Sequence, residues 1–405
     1  MKLRRRLIVA PLLVLFGLAA SAAQHSQVSC IGAKVYPSPA APPIENAALL
    51  IDEGRISTIG PADRAGRVLP GSALALDCAG KIVVAGFWNS HVHFAAQWDG
   101  ASTAPADKLA AQMRQMLTRW GFTSVWDLGS DPANTLALRG RVEAGEIAGP
   151  MILMAGDIFP KNGHPIYLPP EWQLPEAATP QQAEQMAQQY LKMGLDGIKL
   201  FTGAYMGEQR PVINMDTVIA KAAVDVAHAQ GRPVFTHPQN RTGVDNALAA
   251  GVDILAHTIP TESFTGVELE QMKRQHTALI PTLTLWTAVV DDPAAADRLV
   301  RAGVDELKSY FSAGGTILFG TDVGFTSKYD TTQEFDFMGR AMGWRDVLAS
   351  LTTAPAALFK ASTKGRVEQG MDADLVVLDA DPATDVRNFA RVAYTLRKGQ
   401  VIYRK

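Results

Sequence analysis

Six side chains in this 405-residue sequence have types and positions that suit divalent-cation chemistry: His91, His93, Lys199, His237, His257 and Asp322. His91 and His93 are one residue apart, and on a strand that period aims both rings to one side. Paired neutral imidazoles suit zinc. His237, His257 and Asp322 each close a short apolar run. Lys199 lies inside one, Gly197-Ile198-Lys199-Leu200-Phe201, where an unpaired ammonium is costly. Taken singly, each has an ordinary explanation. A histidine at a strand end can be a core residue, and an aspartate after Gly-Thr can cap a helix. All six at matching strand ends call for a shared explanation, namely ligands or acid–base groups around metal ions.

Such residues converge only if the runs carrying them lie parallel. Strand-like apolar runs occupy 82–94, 122–128, 150–155, 197–201, 233–237, 254–257, 278–285 and 316–321, with helix-like spacers such as 180–193 and 216–230. Strands alternating with helices imply parallel pairing. Eight of them predict an α/β fold, a closed (β/α)8 TIM barrel whose strand carboxyl ends meet at one face. The rival is an open doubly wound sheet, but no G-x-G-x-x-G follows the first run. Shorter strand-like runs at both ends, with Glu53-Gly54 as a hairpin turn, predict a small β-sandwich domain built from both termini. The expected division is a signal segment at 1–22, the β-sandwich at 23–84 plus 358–405, and the barrel at 85–357.

The constellation resembles the amidohydrolase superfamily of metal-dependent hydrolases. The run Ala85-Gly86-Phe87-Trp88-Asn89-Ser90-His91-Val92-His93 is similar to that family's first-strand signature, with Ala85 in place of Pro and Asn89 in place of Asp. Residues 247–257 resemble its approach to a second lone histidine, and Gly370-Met371-Asp372-Ala373-Asp374-Leu375 its returning sheet segment. Lys199 and Gly163-His164 place the resemblance nearest the imidazolonepropionase-like and metal-dependent dipeptidase (prolidase) branch. Departures at Ala204 and Pro238-Gln239-Asn240 fall at the pocket and leave the metal ligands intact.

The resemblance implies two divalent metal ions, taken as zinc. His91 and His93 would bind one with Asp322, and His237 and His257 the other. Lys199 would bridge them as a carbon dioxide-derived carbamate, because a plain ammonium cannot ligate a cation. Asp322 and His164 would be the catalytic pair, Asp322 moving the proton and His164 contacting the carbonyl or oxyanion. Arg241 is expected to hold a substrate carboxylate, with Tyr205 and Tyr167 lining the pocket; Trp172 and Trp286 are further aromatic candidates. His25, His228 and His276 have no comparable placement. The expected substrate is a small amide or dipeptide-like molecule. The alternatives are a mononuclear deaminase or cyclic amide/imine hydrolase of the same superfamily and, from another class, a non-catalytic periplasmic binding protein.

Composition agrees with this reading. At 47% hydrophobic and 19% charged, the chain is neither disordered nor fibrous. A net charge of −2 lacks the basic surplus of a nucleic-acid binder. Lys2, Arg4, Arg5 and Arg6 precede an apolar run from Leu7 to Ala20 and the cleavable pattern Ala20-Ser21-Ala22, so the chain reads as exported, periplasmic or secreted, with no membrane anchor after cleavage. Self-association into a homo-oligomer is compatible with all of this. In an oxidising compartment Cys30 and Cys78 can pair; otherwise they are two buried thiols.

Overall fold

The apolar segment interrupted at Glu53-Gly54 folds back on itself in the computed structural model, which describes residues 27–65 and 73–405. The signal segment lies outside the described residues. Strand β2 (Ile44–Asp52) pairs antiparallel with β3 (Arg55–Pro61), and Asp52 faces Arg55 across the turn. Both turn residues have positive φ, +47° at Glu53 and +77° at Gly54, which matches the twist of a two-residue hairpin. Strand β1 (Gln27–Val35) pairs with β2 on one side. On its other side it pairs first with β4 (Leu74–Asp77) and then with β5 (Ile82–Ala85).

Cys30 on β1 is disulfide-bonded to Cys78 just past β4, with Cα atoms 5.4 Å apart. The bond closes 48 residues of chain, for which the chain-entropy model gives about 4 kcal/mol. The Cys30→Ser/Cys78→Ser double variant should lose about that much in denaturant unfolding. Two titratable thiols in unreduced, denatured wild-type protein would refute the pairing.

Gly86 marks where the chain first leaves the terminal sheet for the barrel. Its N–H donates to Asp374 O at 2.7 Å, and a Cβ there would fall 2.2 Å from Thr123 Oγ1. The expected run 82–94 therefore divides: β5 stays in the terminal sheet and β6 (Phe87–Val92) opens the barrel. The barrel continues through β7 (Phe122–Asp127) and β8 (Met151–Pro160), to which the two-residue β9 (Glu176–Ala177) adds. Strand β10 (Gly197–Phe201) is followed by a short ribbon of β11 (Gly203–Ala204) and β12 (Ile213–Asn214). Then come β13 (Val234–His237), β14 (Ile254–Ala256) and β15 (Ala278–Ile280). The spatial order β15-β14-β13-β10-β8-β7-β6 is parallel throughout.

The eighth expected strand, 316–321, is not a regular strand. It closes the barrel through isolated parallel bridges, Leu279 with Ile317 and Val92 with Val323. Its backbone still bonds both neighbours: Leu318 N donates to Leu279 O at 2.9 Å, and Ser90 N to Phe319 O at 2.7 Å. Close approach explains the irregularity. A Cβ on Gly320 would lie 2.3 Å from Ile280 Cγ2 and 2.9 Å from His91 Cβ. The chain then turns at Asp322, with φ +60°.

The chain ends in the terminal sheet. Strand β16 (Leu375–Leu378) pairs antiparallel with β5, and β17 (Val392–Arg397) and β18 (Gln400–Arg404) extend the sheet. Spacer helices Pro180–Lys192 and Thr217–Ala229 lie within the expected 180–193 and 216–230. Strand alternation sorts the barrel side chains. Trp88, Trp126, Phe235, Ile254 and Leu318 fill the interior, while Val234, Leu200 and Leu255 pack outward against helices. Among the described residues no helix is long and apolar enough to cross a membrane.

Candidate metal centre

His91 and His93 share a side by two-residue alternation, and a register shift of β6 against β7 between Asn89 and Val92 leaves Val92 in the outer packing. Their Nε2 atoms lie 3.2 Å apart. Asp322 Oδ1 is 3.1 Å from His91 Nε2 and 2.9 Å from His93 Nε2. Two atoms held 2.0–2.1 Å from one tetrahedral ion are about 3.3 Å apart, so this spacing fits a shared cation. Proton supply argues the same way. His93 Nδ1–H donates to Gly129 O at 2.7 Å, which turns Nε2 inward as a ligand. With His93 neutral, its Nε2 and Asp322 Oδ1 are two acceptors 2.9 Å apart that need a cation or a proton between them.

His257 would point outward by alternation, since Ile254 and Ala256 face in. Its φ of +83° turns the ring instead into the mouth, 4.7 Å from the His91 ring and 4.7 Å from the His237 ring. A positive φ at a non-glycine residue costs about 1 kcal/mol or more. Neighbouring carboxylates hold the loops that impose it. Glu306 accepts from Ile259 N at 2.8 Å, and Glu334 from Leu283 N at 2.9 Å and Thr284 N at 2.7 Å. The Thr282 hydroxyl donates to Pro281 O at 2.8 Å, so it accepts from His257 Nδ1–H at 2.6 Å and leaves Nε2 bare. His237 Nε2–H donates to Gln239 Oε1 at 2.9 Å and leaves Nδ1 bare. Ligand atoms of His91, His257 and Asp322 lie within 4.8 Å of one another.

Lys199 faces inward because Ile198 and Leu200 take the outer layer, and it is 1% exposed. Burial pulls its ammonium down to about 8, against the pull of Asp157 and Asp322. Asp157 sits beside it in register on β8. Burial pushes that carboxyl up to about 7, while Lys199 and His93 oppose the rise. Asp157 is absent from the expected site. Its signal was present, an acidic residue inside an apolar run, the same oddity that marks Lys199. A Cβ on Gly129 would fall 2.4 Å from Asp157 Oδ2, so only glycine leaves that carboxylate room.

The remaining charges keep the imidazoles ready for metal. Burial, then Lys199, lowers His91 to about 3 and His237 to about 4. Burial works to raise Asp322, but His91 and His93 outweigh it and hold the carboxyl well below the usual range. His93 is the exception. Burial disfavours its cation, yet Asp322 and Asp127 raise it above the usual imidazole value. A proton on His93 thus stands where a metal ion would. Metal binding near neutral pH should displace that proton, and affinity should climb as pH rises through the raised His93 value. Calorimetry in two buffers of different ionisation enthalpy measures the proton; zero release would contradict this account.

The other expected residues distribute unevenly. Asn89 ties the first strand to the last, donating to Thr321 Oγ1 at 2.7 Å and accepting from His91 N at 3.2 Å. His164 donates Nδ1–H to Pro165 O at 3.1 Å, and its Nε2 is buried without a partner. As a neutral ring it therefore accepts at Nε2; stabilising an oxyanion there requires the imidazolium. Tyr167 reaches the mouth, whereas Tyr205 accepts from Ile166 N at 3.1 Å through its carbonyl. Arg241 starts the helix Arg241–Ala250, and its guanidinium donates to Glu262 O at 2.8 Å and Ser263 O at 3.2 Å. It is spent on holding that loop rather than left open for a carboxylate. Trp172 is exposed and Trp286 half-buried. His228 pairs with Asp253 at 2.8 Å, His276 caps a helix, and His25 lies outside the described residues.

A family model described as the amidohydrolase family matches residues 82–402. The chain is 24% identical to ochratoxinase of Aspergillus niger over 396 residues, covering 86% of this chain and 80% of that one. A Bifidobacterium longum structure described as a candidate prolidase superposes with a TM-score of 0.78 at 25% identity, covering 94% of this chain and 95% of that one. A Xaa-Pro dipeptidase structure with methionine in its active site gives 0.77 at 22% identity, covering 94% and 100%.

Proposed function

Because the chain belongs to the amidohydrolase family, we propose that it is an exported hydrolase of small amide or dipeptide-like bonds working with two zinc ions. Membership makes it a metal-dependent hydrolase of carbon–nitrogen bonds. The observation that carries the proposal is the cluster of His91 Nε2, His93 Nε2 and Asp322 Oδ1 within 3.2 Å, beside a buried lysine. His91, His93 and Asp322 would hold one ion, and His237 and His257 the other. Bound zinc polarises a carbonyl and acidifies water.

Lys199, once carboxylated, would supply a further oxygen ligand to the ions. Its neutral amine forms an N–C bond to carbon dioxide and releases one proton. Burial that lowers its ammonium to about 8 raises the neutral fraction available for that step. Asp322 remains a carboxylate at neutral pH, so it takes the proton from the attacking water and passes it to the leaving nitrogen. Similarity to chains named prolidase and dipeptidase supports a dipeptide-like substrate. The basic start, apolar run and Ala20-Ser21-Ala22, together with the Cys30–Cys78 bond, support export.

The test is a panel of N-acyl amino acids, dipeptides and lactones, offered to metal-stripped protein and to protein reloaded with zinc. Zinc-dependent turnover of amides is the expected result. Turnover of lactones alone, or activity indifferent to zinc, overturns the proposal. One observation favours a second reading. Asp157 lies beside Lys199 in register, and a retained Lys199 ammonium facing that carboxylate describes a one-ion enzyme of the deaminase or cyclic-amide type.

A further inference from the structure

Of the large apolar side chains exposed on the described surface, four lie on two loops that leave the carboxyl end of the barrel. Ile166 is 59% exposed, Tyr167 37% and Trp172 45%, all on the loop after β8. Phe325, 38% exposed, lies three residues past Asp322. Exposed aromatic surface beside a catalytic centre marks a ligand subsite more readily than a core defect.

The geometry connects this surface to the metal ligands. The Tyr167 and Phe325 rings are 5.3 Å apart and edge-to-face at 69°. Phe325 in turn stands 6.5 Å from the His93 ring. Phe325 is held there by a tight turn, with Thr326 N donating to Asp322 O at 3.2 Å. Only glycine fits inside that turn, because a Cβ on Gly324 would fall 1.8 Å from His93 O. The facing loop is also fixed, by the Ile166 N–H to Tyr205 O bond of 3.1 Å. The Tyr167 phenol is a neutral hydroxyl at neutral pH. Two cations of neighbouring loops are committed elsewhere. Arg241 serves the 262–263 loop, and Lys328 donates to the Thr287 hydroxyl at 2.8 Å.

We propose that Tyr167 and Phe325 form an aromatic subsite on the His93 side of the metal centre, and that the substrate presents an uncharged aromatic or large apolar group there. This deepens the proposed amide hydrolysis and rests on it for the identity of the reaction. An aromatic group packing against the exposed sides of this ring pair gains aromatic contact and displaces water from both. A small acyl group reaches neither ring.

The experiment uses the zinc-loaded full chain and two uncleavable neutral ketones. In 1,4-diphenylbutan-2-one a CH2 replaces the scissile N–H; in hexan-3-one methyl groups also replace both phenyls. Calorimetry should show wild type preferring the diphenyl ketone by roughly tenfold or more. Tyr167→Ala and Phe325→Ala, each retaining wild-type metal content, should erase most of that preference, and Phe325→Leu should keep part of it. KM for N-benzoyl substrates should rise in the same variants far more than KM for N-acetyl ones. Equal losses for both ketones, or an intact preference, overturn the subsite. Because binding is read without turnover, the two ideas separate: an enzyme inert to amides that still shows the collapsing preference sinks the proposed function and leaves the subsite standing.

Discussion

Lys199→Ala should lower metal content from about two ions per chain to one or fewer, and cut amide hydrolysis by ~10³-fold or more. The side chain lies within the barrel and its amine is the group proposed to reach both ions. Its loss also strands Asp157, which lies beside Lys199 in register. Removing one member of a buried charged pair costs about 3–5 kcal/mol. Some of the lost metal could therefore reflect a weakened barrel rather than a missing ligand. The Lys199→Ala/Asp157→Asn double variant separates the two effects, because an amide at 157 needs no counter-charge. If the double variant regains stability but not metal or activity, Lys199 is a ligand. Added propionate should then partly restore both by placing a carboxylate in the vacated space. A fully active Lys199→Ala enzyme with one metal per chain would establish the mononuclear reading.

Asp322→Asn should reduce kcat by ~10²–10⁴-fold while leaving KM and one bound ion largely in place. Asparagine matches aspartate in size and tolerates the φ of +60° found there, so the turn toward Phe325 should survive. What disappears is the negative charge 3.1 Å from His91 Nε2 and 2.9 Å from His93 Nε2, and with it the proton acceptor. His93 then loses the partner that raises its pKa, so proton release on metal binding should shrink in the same variant. His237 and His257, which do not depend on Asp322 for their orientation, should keep their ion. A kcat within tenfold of wild type would remove Asp322 from the proton transfer.

Local pattern was enough for much of this protein. Residues 197–201 place Lys199 inward through two-residue alternation alone, and His91 and His93 share a side for the same reason. The Glu53-Gly54 hairpin and the helices Pro180–Lys192 and Thr217–Ala229 follow from turn chemistry and apolar spacing within a few residues. These features are set by contacts close in sequence, so the sequence by itself determined them. Others depend on partners far away. Alternation would have turned His257 outward; a positive φ, imposed by a loop bonded to Glu306 and to Thr282, turns it in. The last barrel segment closes the ring without forming a strand, because Gly320 must slide against Ile280 and His91. Arg241 follows a ligand strand closely enough to suggest a carboxylate clamp, yet the carbonyls of Glu262 and Ser263 claim it first. Asp157 gains meaning only when β8 is laid beside β10 and its carboxyl meets Lys199. In each case a hydrogen bond or steric contact spans tens to hundreds of residues, and only the tertiary structure decides which long-range partner arrives.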